Sequence, residues 1–366
     1  MEEIKLDVAI IGGGLIGMSS AYMLSKAGLD VQILDKSYLG RESSWAGGGI
    51  LTPLYPWRYP NEVNALAKRS QQLYPNFISN LQSLTDVDPE YYPSGMLIPE
   101  HEIDETACQW LIDRNICFES VSEQSQVLKN ISNEMSYTFL PQIHQVRNPS
   151  FIMALKAGLC ALGVKIHENK AVFDIAELKD GFSIMCETTR FIAKRIVIAA
   201  GAWSGSIFSL LNIELPVRPI RGQMLLYKTE PGLIKPIILS EGKYIIPRKD
   251  GRILVGSTME DVGFNKQTTD TARNDLHSFI QRHTPAILKY PLEKTWAGLR
   301  PGSPNGIPFI GQHPDKPNLY FNCGHFRNGV VLSLASAELL RDIMQNETTK
   351  VSANHYQING FERECI

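Results

Sequence analysis

The stretch 7-DVAIIGGGLIGMSSAYMLSKAGLDVQILDK-36 decides the fold. Val8 to Ile11 is a short apolar run of the kind a buried parallel strand shows, and Gly12, Gly14 and Gly17 follow it as G-x-G-x-x-G. Ile16, Ala21, Leu24 and Ala27 then recur near helical spacing until Gly28 ends the helix, and Val31 to Asp35 reads as a second strand finishing on an acid. The glycines have separate tasks: a tight turn, close approach of backbone to a pyrophosphate, and close packing of helix on strand, with the helix N-terminus facing the phosphates. Asp35 lies where an acid takes ribose hydroxyls, and a carboxylate there repels a 2′-phosphate. A dinucleotide with an ADP half is expected, and this motif does not separate FAD from NAD.

Further along, residues 61–84 carry Val63, Leu66, Leu73, Phe77, Leu81 and Leu84 on roughly one helical face, interrupted by Pro75, which predicts two helices or one kinked one. Residues 150–178 repeat the order helix, Gly, strand, and 190-RFIAKRIVIAAGAW-203 supplies another buried strand ending at Gly201. From Pro216 the character changes to segments that read as antiparallel strands, with "KDGR" (249–252) as a hairpin turn. Residues 318–344 return to strand, loop, helix. The expected fold is α/β (mixed α+β): a discontinuous Rossmann-like domain of residues 1–85, 146–210 and 296–366, with an antiparallel-sheet substrate domain of 86–145 and 211–295 inserted in it. Ligands lodge readily at such a junction.

Composition agrees with a globular enzyme. The 366 residues are 43% hydrophobic and 20% charged, enough for one large or two joined domains. A net charge of -2 gives no support to a nucleic-acid or acidic-membrane partner, and no apolar run reaches membrane-spanning length. The N-terminus lacks the pattern of a signal peptide. Cys108, Cys117, Cys160, Cys186, Cys323 and Cys365 show neither a disulfide framework nor zinc-ligand spacing, so reduced thiols in a cytoplasm and no metal are expected. Hydrolase and NTPase motifs are missing. One dinucleotide fingerprint leaves an NAD dehydrogenase or a flavoprotein re-oxidised by oxygen or another acceptor. In 323-CGHFRNGVVL-332, Gly329 is expected to give backbone freedom at the start of a buried helix whose unpaired N–H groups would stabilise the negative edge of a reduced flavin.

Six blocks carry more than spacing: 10–28, 40–59, 196–205, 244–260, 296–311 and 323–332. Together they resemble the glycine oxidase family of thiamine biosynthesis, within the FAD-dependent D-amino-acid oxidase group, over essentially the whole chain. The likeness is weakest between Asp86 and Ser150, where no motif of mechanism stands out. The resemblance implies non-covalent FAD and oxidation of glycine or another small amine to its imine, with oxygen reduced to hydrogen peroxide. The imine would serve thiazole formation or hydrolyse to glyoxylate and ammonia. It implies a homotetramer, and it leaves open a D-amino-acid dehydrogenase or sarcosine oxidase-like enzyme with another electron acceptor. Carried over block by block, Arg300 would hold the substrate carboxylate, Tyr244 would hydrogen-bond it, Met259 would help line the pocket, and Arg327 would sit beside substrate and flavin. FAD contacts would come from Gly12, Gly14, Leu15, Ile16 and Gly17, from Asp35 and Lys36, and from Ser43, Ser44, Gly48, Gly49 and Ile50. They would be completed by Val172, Ala200, Gly201 and Trp203, and by the turn His325, Phe326, Arg327, Asn328, Gly329 and Val330. Cys323 is expected to be a plain core thiol, and His325 a loop residue orienting backbone and not a base. Guanidinium offers a carboxylate two parallel donors, so Arg300 can fix the substrate's Cα–H in a way that lysine cannot.

Overall fold

Alternation along the first strand, Glu2–Ile11, sets the plan: Val8 and Ile10 pack into one hydrophobic cluster, and Ala9 and Ile11 into another on the opposite face. A strand buried on both faces needs cover on both, which is the condition of a parallel sheet inside an α/β layer structure. The computed structural model describes residues 2–122 and 124–358; Cys365 and the end of the segment 296–366 lie outside them.

The first sheet has the order Phe309–Gln312, Leu319–Cys323, Thr189–Ile198, Glu2–Ile11, Val31–Leu34, Lys165–His167. All neighbours are parallel except Phe309–Gln312, which pairs antiparallel with Leu319–Cys323. A hairpin, Asp174–Leu178 and Gly181–Met185, joins the start of Thr189–Ile198. Helices Leu15–Lys26, Asn61–Gln82, Asn148–Ala161 and Gly329–Gln345 cover one face. The segment 61–84 is one helix through Gln82 with Pro75 inside it. Arg69 makes a two-pronged bond to the buried Glu338 at 2.7 Å per arm, and Tyr74 Oη donates to Val330 O at 2.6 Å, so this helix fixes the start of Gly329–Gln345.

The second sheet has the order Leu292–Gly302, Arg218–Lys228, Arg252–Gly256, Lys243–Pro247, Ile237–Ser240, Met96–Pro99, Tyr137–Leu140, Glu119–Ser120. It is antiparallel apart from the pair Ile237–Ser240 with Met96–Pro99. The turn at 249–252 closes as expected: Arg248 N–H donates to Arg252 O at 2.8 Å and Gly251 takes φ +86°. One face of this sheet packs Ile245, Ile253 and Val255 against Leu276, Phe279 and Ile280 of the helix Asp270–His283. The other turns Tyr244, Ile246 and Met224 toward the first sheet. Leu292–Gly302 is one strand of the second sheet, so the boundary expected at 296 falls inside a strand.

Candidate active site

The strands of the first sheet end at Ile11, Leu34, Ile198 and Cys323, and the crevice beyond parallel strand ends is where ligands bind in open α/β sheets. A cavity of about 450 Å³ lies there, roofed by Met224, Tyr244 and Arg300 of the second sheet. That size is within the ordinary range of ligand sites.

At one end sits the glycine turn. Gly12 takes φ +110°, and a Cβ on it would lie 2.5 Å from Ala199 O. A Cβ on Gly17 would lie 1.9 Å from Gly12 O, so the glycine there allows the helix to press on the strand end. Gly14 precedes the helix without a side-chain cap; Leu15 N–H donates to Ser44 Oγ at 2.9 Å, and the start of the helix opens on the cavity. Asp35 accepts from Gly13 N–H at 2.7 Å and from Ser37 N–H at 2.8 Å. Burial raises its carboxyl pKa, with those bonds opposing the rise. Lys36 Nζ stands 3.1 Å from the centre of the Trp203 ring, over its face.

At the other end lie two guanidinium groups. Arg300 Nη1 donates to Thr258 O at 3.1 Å and, more weakly, to Arg221 O at 3.4 Å, while Nη2 donates to Ser257 Oγ at 2.5 Å. The strand register pairs Arg300 with Ile220, and the side chain lies across Gly222, where a Cβ would come 2.2 Å from either Nη atom. Among the described residues Arg300 has no acidic partner. Burial lowers its pKa from the ordinary arginine value; the Tyr244 hydroxyl opposes this and the charge of Arg327 adds to it. Tyr244 Oη points to Met224 Sδ at 3.6 Å, a weak acceptor. Arg327 donates from Nη2 to Gly242 O at 2.8 Å and likewise lacks an acidic partner among the described residues.

Between the ends comes the start of Gly329–Gln345. No side chain caps it, and two buried polar atoms next to it, Asn328 Nδ2 and His325 Nδ1, lack protein partners. His325 Nε2 meets Ser336 Oγ at 3.0 Å, and burial drives the imidazole pKa down to about 3.

Residues 7–343 match the family described as FAD dependent oxidoreductase. The chain belongs to this family of FAD dependent oxidoreductases. Glycine oxidase from Pseudomonas putida is 38% identical over 97% of this chain and 98% of its own length. The bifunctional protein ThiO/ThiG of Trichormus variabilis is 28% identical over 98% of this chain and 56% of its own length. The crystal structure of glycine oxidase from Geobacillus kaustophilus superposes with a TM-score of 0.91, at 25% identity, over 97% of this chain and 98% of that one.

The cavity of this FAD dependent oxidoreductase fits the cofactor. Its first helix, without an N-cap side chain, offers N–H groups to a pyrophosphate, a side chain at Gly12 would require backbone to move, and the orphaned Asn328 Nδ2 donor beside the last long helix calls for an acceptor that the protein does not provide. Of the FAD contacts expected from sequence, all line the cavity except Gly17 and Asn328, which support it from behind. Arg300, Tyr244 and Arg327 line it too. Met259 does not: its side chain is 60% exposed, and Met224 of the neighbouring strand is the methionine on the cavity wall.

Gly329 also departs from expectation. It has ordinary helical angles, φ −53° and ψ −34°, and the left-handed turns fall at Gly324 (φ +79°) and Phe326 (φ +45°). What Gly329 contributes is an absent side chain at the cavity wall. Cys323 is buried, with its thiol pKa pushed up to about 12 by desolvation, so it stays a protonated core thiol. His325, neutral and bonded to Ser336, is a loop residue as expected. The reading missed Arg248. Fully enclosed, it donates to Gly48 O at 2.7 Å, Val146 O at 3.0 Å and Gln145 Oε1 at 2.5 Å, and so holds the loop Gly47–Gly49 in place. Its position directly after "YIIP" was the available signal. No cluster of metal-ligating side chains occurs among the described residues, and no helix there is long and apolar enough to cross a membrane.

Proposed function

We propose that this chain oxidises glycine, and other small amines of similar bulk, to the imine, with oxygen as electron acceptor. The observation that carries the reading is the Arg300 guanidinium, held in the cavity by two carbonyl oxygens and a hydroxyl with no acid beside it. A half-buried cation without an acidic partner among the described residues favours an anionic ligand, and a carboxylate takes two parallel donors from a guanidinium edge.

FAD, when bound, would supply the two-electron acceptor for oxidation of the amine and the route of those electrons to oxygen. The protein's own part is placement. Arg300 fixes the carboxylate, the Tyr244 hydroxyl donates to it, and the positive charge of Arg327 favours the unprotonated amine whose lone pair assists hydride loss. No side-chain base is required, in keeping with the neutral, committed His325. The first sheet and its helices hold FAD, and the second sheet, including the whole strand Leu292–Gly302, carries the substrate side. The imine hydrolyses to glyoxylate and ammonia or enters thiazole formation for thiamine, in a cytoplasmic homo-oligomer.

Anaerobic addition of glycine to the holoprotein tests this: the flavin is expected to bleach, and peroxide to form in step with glycine loss once air is admitted. A flavin that keeps its colour with glycine, sarcosine, small D-amino acids and D-proline alike would reject the reading. Arg300→Ala is expected to lower kcat/KM for glycine by about 1.5–3 kcal/mol, roughly one to two powers of ten. An unchanged glycine KM would remove Arg300 from the role.

A further inference from the structure

The segment 86–150 carries no recognised motif of mechanism, yet it sends one carboxylate into the neighbourhood of the cavity. Glu102 follows the strand Met96–Pro99 in a short 3-10 turn and is half-buried. Its Oε2 accepts from Tyr55 Oη at 2.5 Å; its Oε1 accepts from Ser240 Oγ and, at 3.1 Å, from Glu241 N–H. Tyr55 Oη in turn accepts from Gly242 N–H at 3.4 Å. The carbonyl of that same Gly242 receives Arg327 Nη2 at 2.8 Å. The residue whose carbonyl orients Arg327 is therefore held at its own N–H by Tyr55, which Glu102 holds in turn.

Three further facts show that the grip is specific. Tyr55 is a non-glycine residue at φ +53°, a conformation that persists when surrounding contacts over-determine it. Burial, with the Glu102 bond and charge second, raises the pKa of the Tyr55 hydroxyl, which keeps it a donor. The outer side of the turn is held differently, by Arg282 on Glu241 at 2.7 Å, an exposed ion pair of the kind that contributes little.

We propose that Glu102 is a positioning residue for the oxidation, acting through Tyr55 and the Ser240–Gly242 turn to aim the Arg327 guanidinium into the substrate end of the cavity. This rests on the assignment of Arg327 to the substrate pocket. Without the carboxylate, Ser240 Oγ and Glu241 N–H of the turn and Tyr55 Oη beside it lose their acceptor, Gly242 shifts, and Arg327 loses the carbonyl that fixes it. Because Glu102 does not line the FAD cavity, cofactor binding is left alone.

The test is a double-mutant cycle on the holoenzyme with Glu102→Ala, Arg327→Ala and the pair, following glycine KM and kcat together with flavin content. Glu102→Ala is expected to cost roughly 2- to 30-fold in kcat/KM, the usual reach of a contact one step removed, and the double variant to be no worse than Arg327→Ala alone. Glu102→Gln, which keeps acceptor oxygen for Tyr55 or Ser240, is expected to restore part of the loss. If Glu102→Ala does not yield holoenzyme, Ser240→Ala in the same cycle carries the comparison. Multiplying effects, or an impaired Arg327→Ala beside a normal Glu102→Ala, overturn the proposal alone. An Arg327→Ala enzyme with normal glycine kinetics overturns the assignment of Arg327 and the proposal with it.

Discussion

At the scale of single residues, the site depends on side chains that are missing as much as on those present. Gly222 leaves the flat space that the Arg300 guanidinium occupies, and a methyl group there would sit 2.2 Å from its nitrogens. Gly222→Ala is expected to displace Arg300 and raise the glycine KM in the direction of Arg300→Ala, with flavin content unchanged; a normal KM in the variant would show that the guanidinium does not need its present position. The glycines of the turn at 12–17 were legible because their spacing is local and their tasks follow from chain geometry. Arg248 was not, because three carbonyl acceptors at residues 48, 145 and 146 leave no periodicity around position 248. Met224 and Met259 show the same limit: which methionine faces the cavity is settled by the pairing of Arg218–Lys228 with its neighbours, and nothing in "GSTME" encodes that.

At the scale of elements, helix starts do the electrostatic work. Neither Leu15–Lys26 nor Gly329–Gln345 is capped by its N-cap side chain, and both starts open on the cavity wall, although Leu15 N–H is held by Ser44 Oγ. The first depends on contact with its strand. Gly17→Ala would push the helix off Gly12 O and is expected to give protein that purifies with little visible flavin absorbance and regains none on added FAD. A fully yellow variant would mean the helix tolerates the shift. Strand, helix and second strand at 2–34 were readable from apolar runs and punctuation. The strands Tyr92–Pro93, Glu119–Ser120 and His144–Gln145 were not, since two residues are too few to show any period. Of the two helices or one kinked helix expected at 61–84, one helix runs through Pro75, with Arg69 and Tyr74 anchoring it to the last long helix on the near side of the proline.

At the scale of the whole molecule, buried histidines couple stability to acidity. His325, behind the first sheet's cavity, and His283, under the second sheet, have pKa values lowered mainly by burial to about 3 and about 4, against 6.5 for a free imidazole. Between pH 6.5 and those values the unfolded chain binds protons that the folded chain refuses, so stability is complete above 6.5 and is lost as pH falls. Each histidine contributes up to about 1.4 kcal/mol per pH unit in its window. Urea midpoints from pH 7 to 4.5 are expected to fall steadily, and NMR titration should show both rings neutral above pH about 5. Rings that protonate near 6.5 would remove the effect. The existence of two sheets and their junction was inferable from the change of character near Pro216; the strand that crosses 296 was not, because it runs without punctuation through the change. The sheet order has one more implication, for biosynthesis. The glycine turn is made within the first 17 residues, but its strand needs Thr189–Ile198 as a neighbour, and the far wall of the cavity comes from residues 319–330. A growing polypeptide therefore carries an unfinished nest for its coenzyme through most of translation, and capture of the flavin has to wait until that distal stretch has left the ribosome.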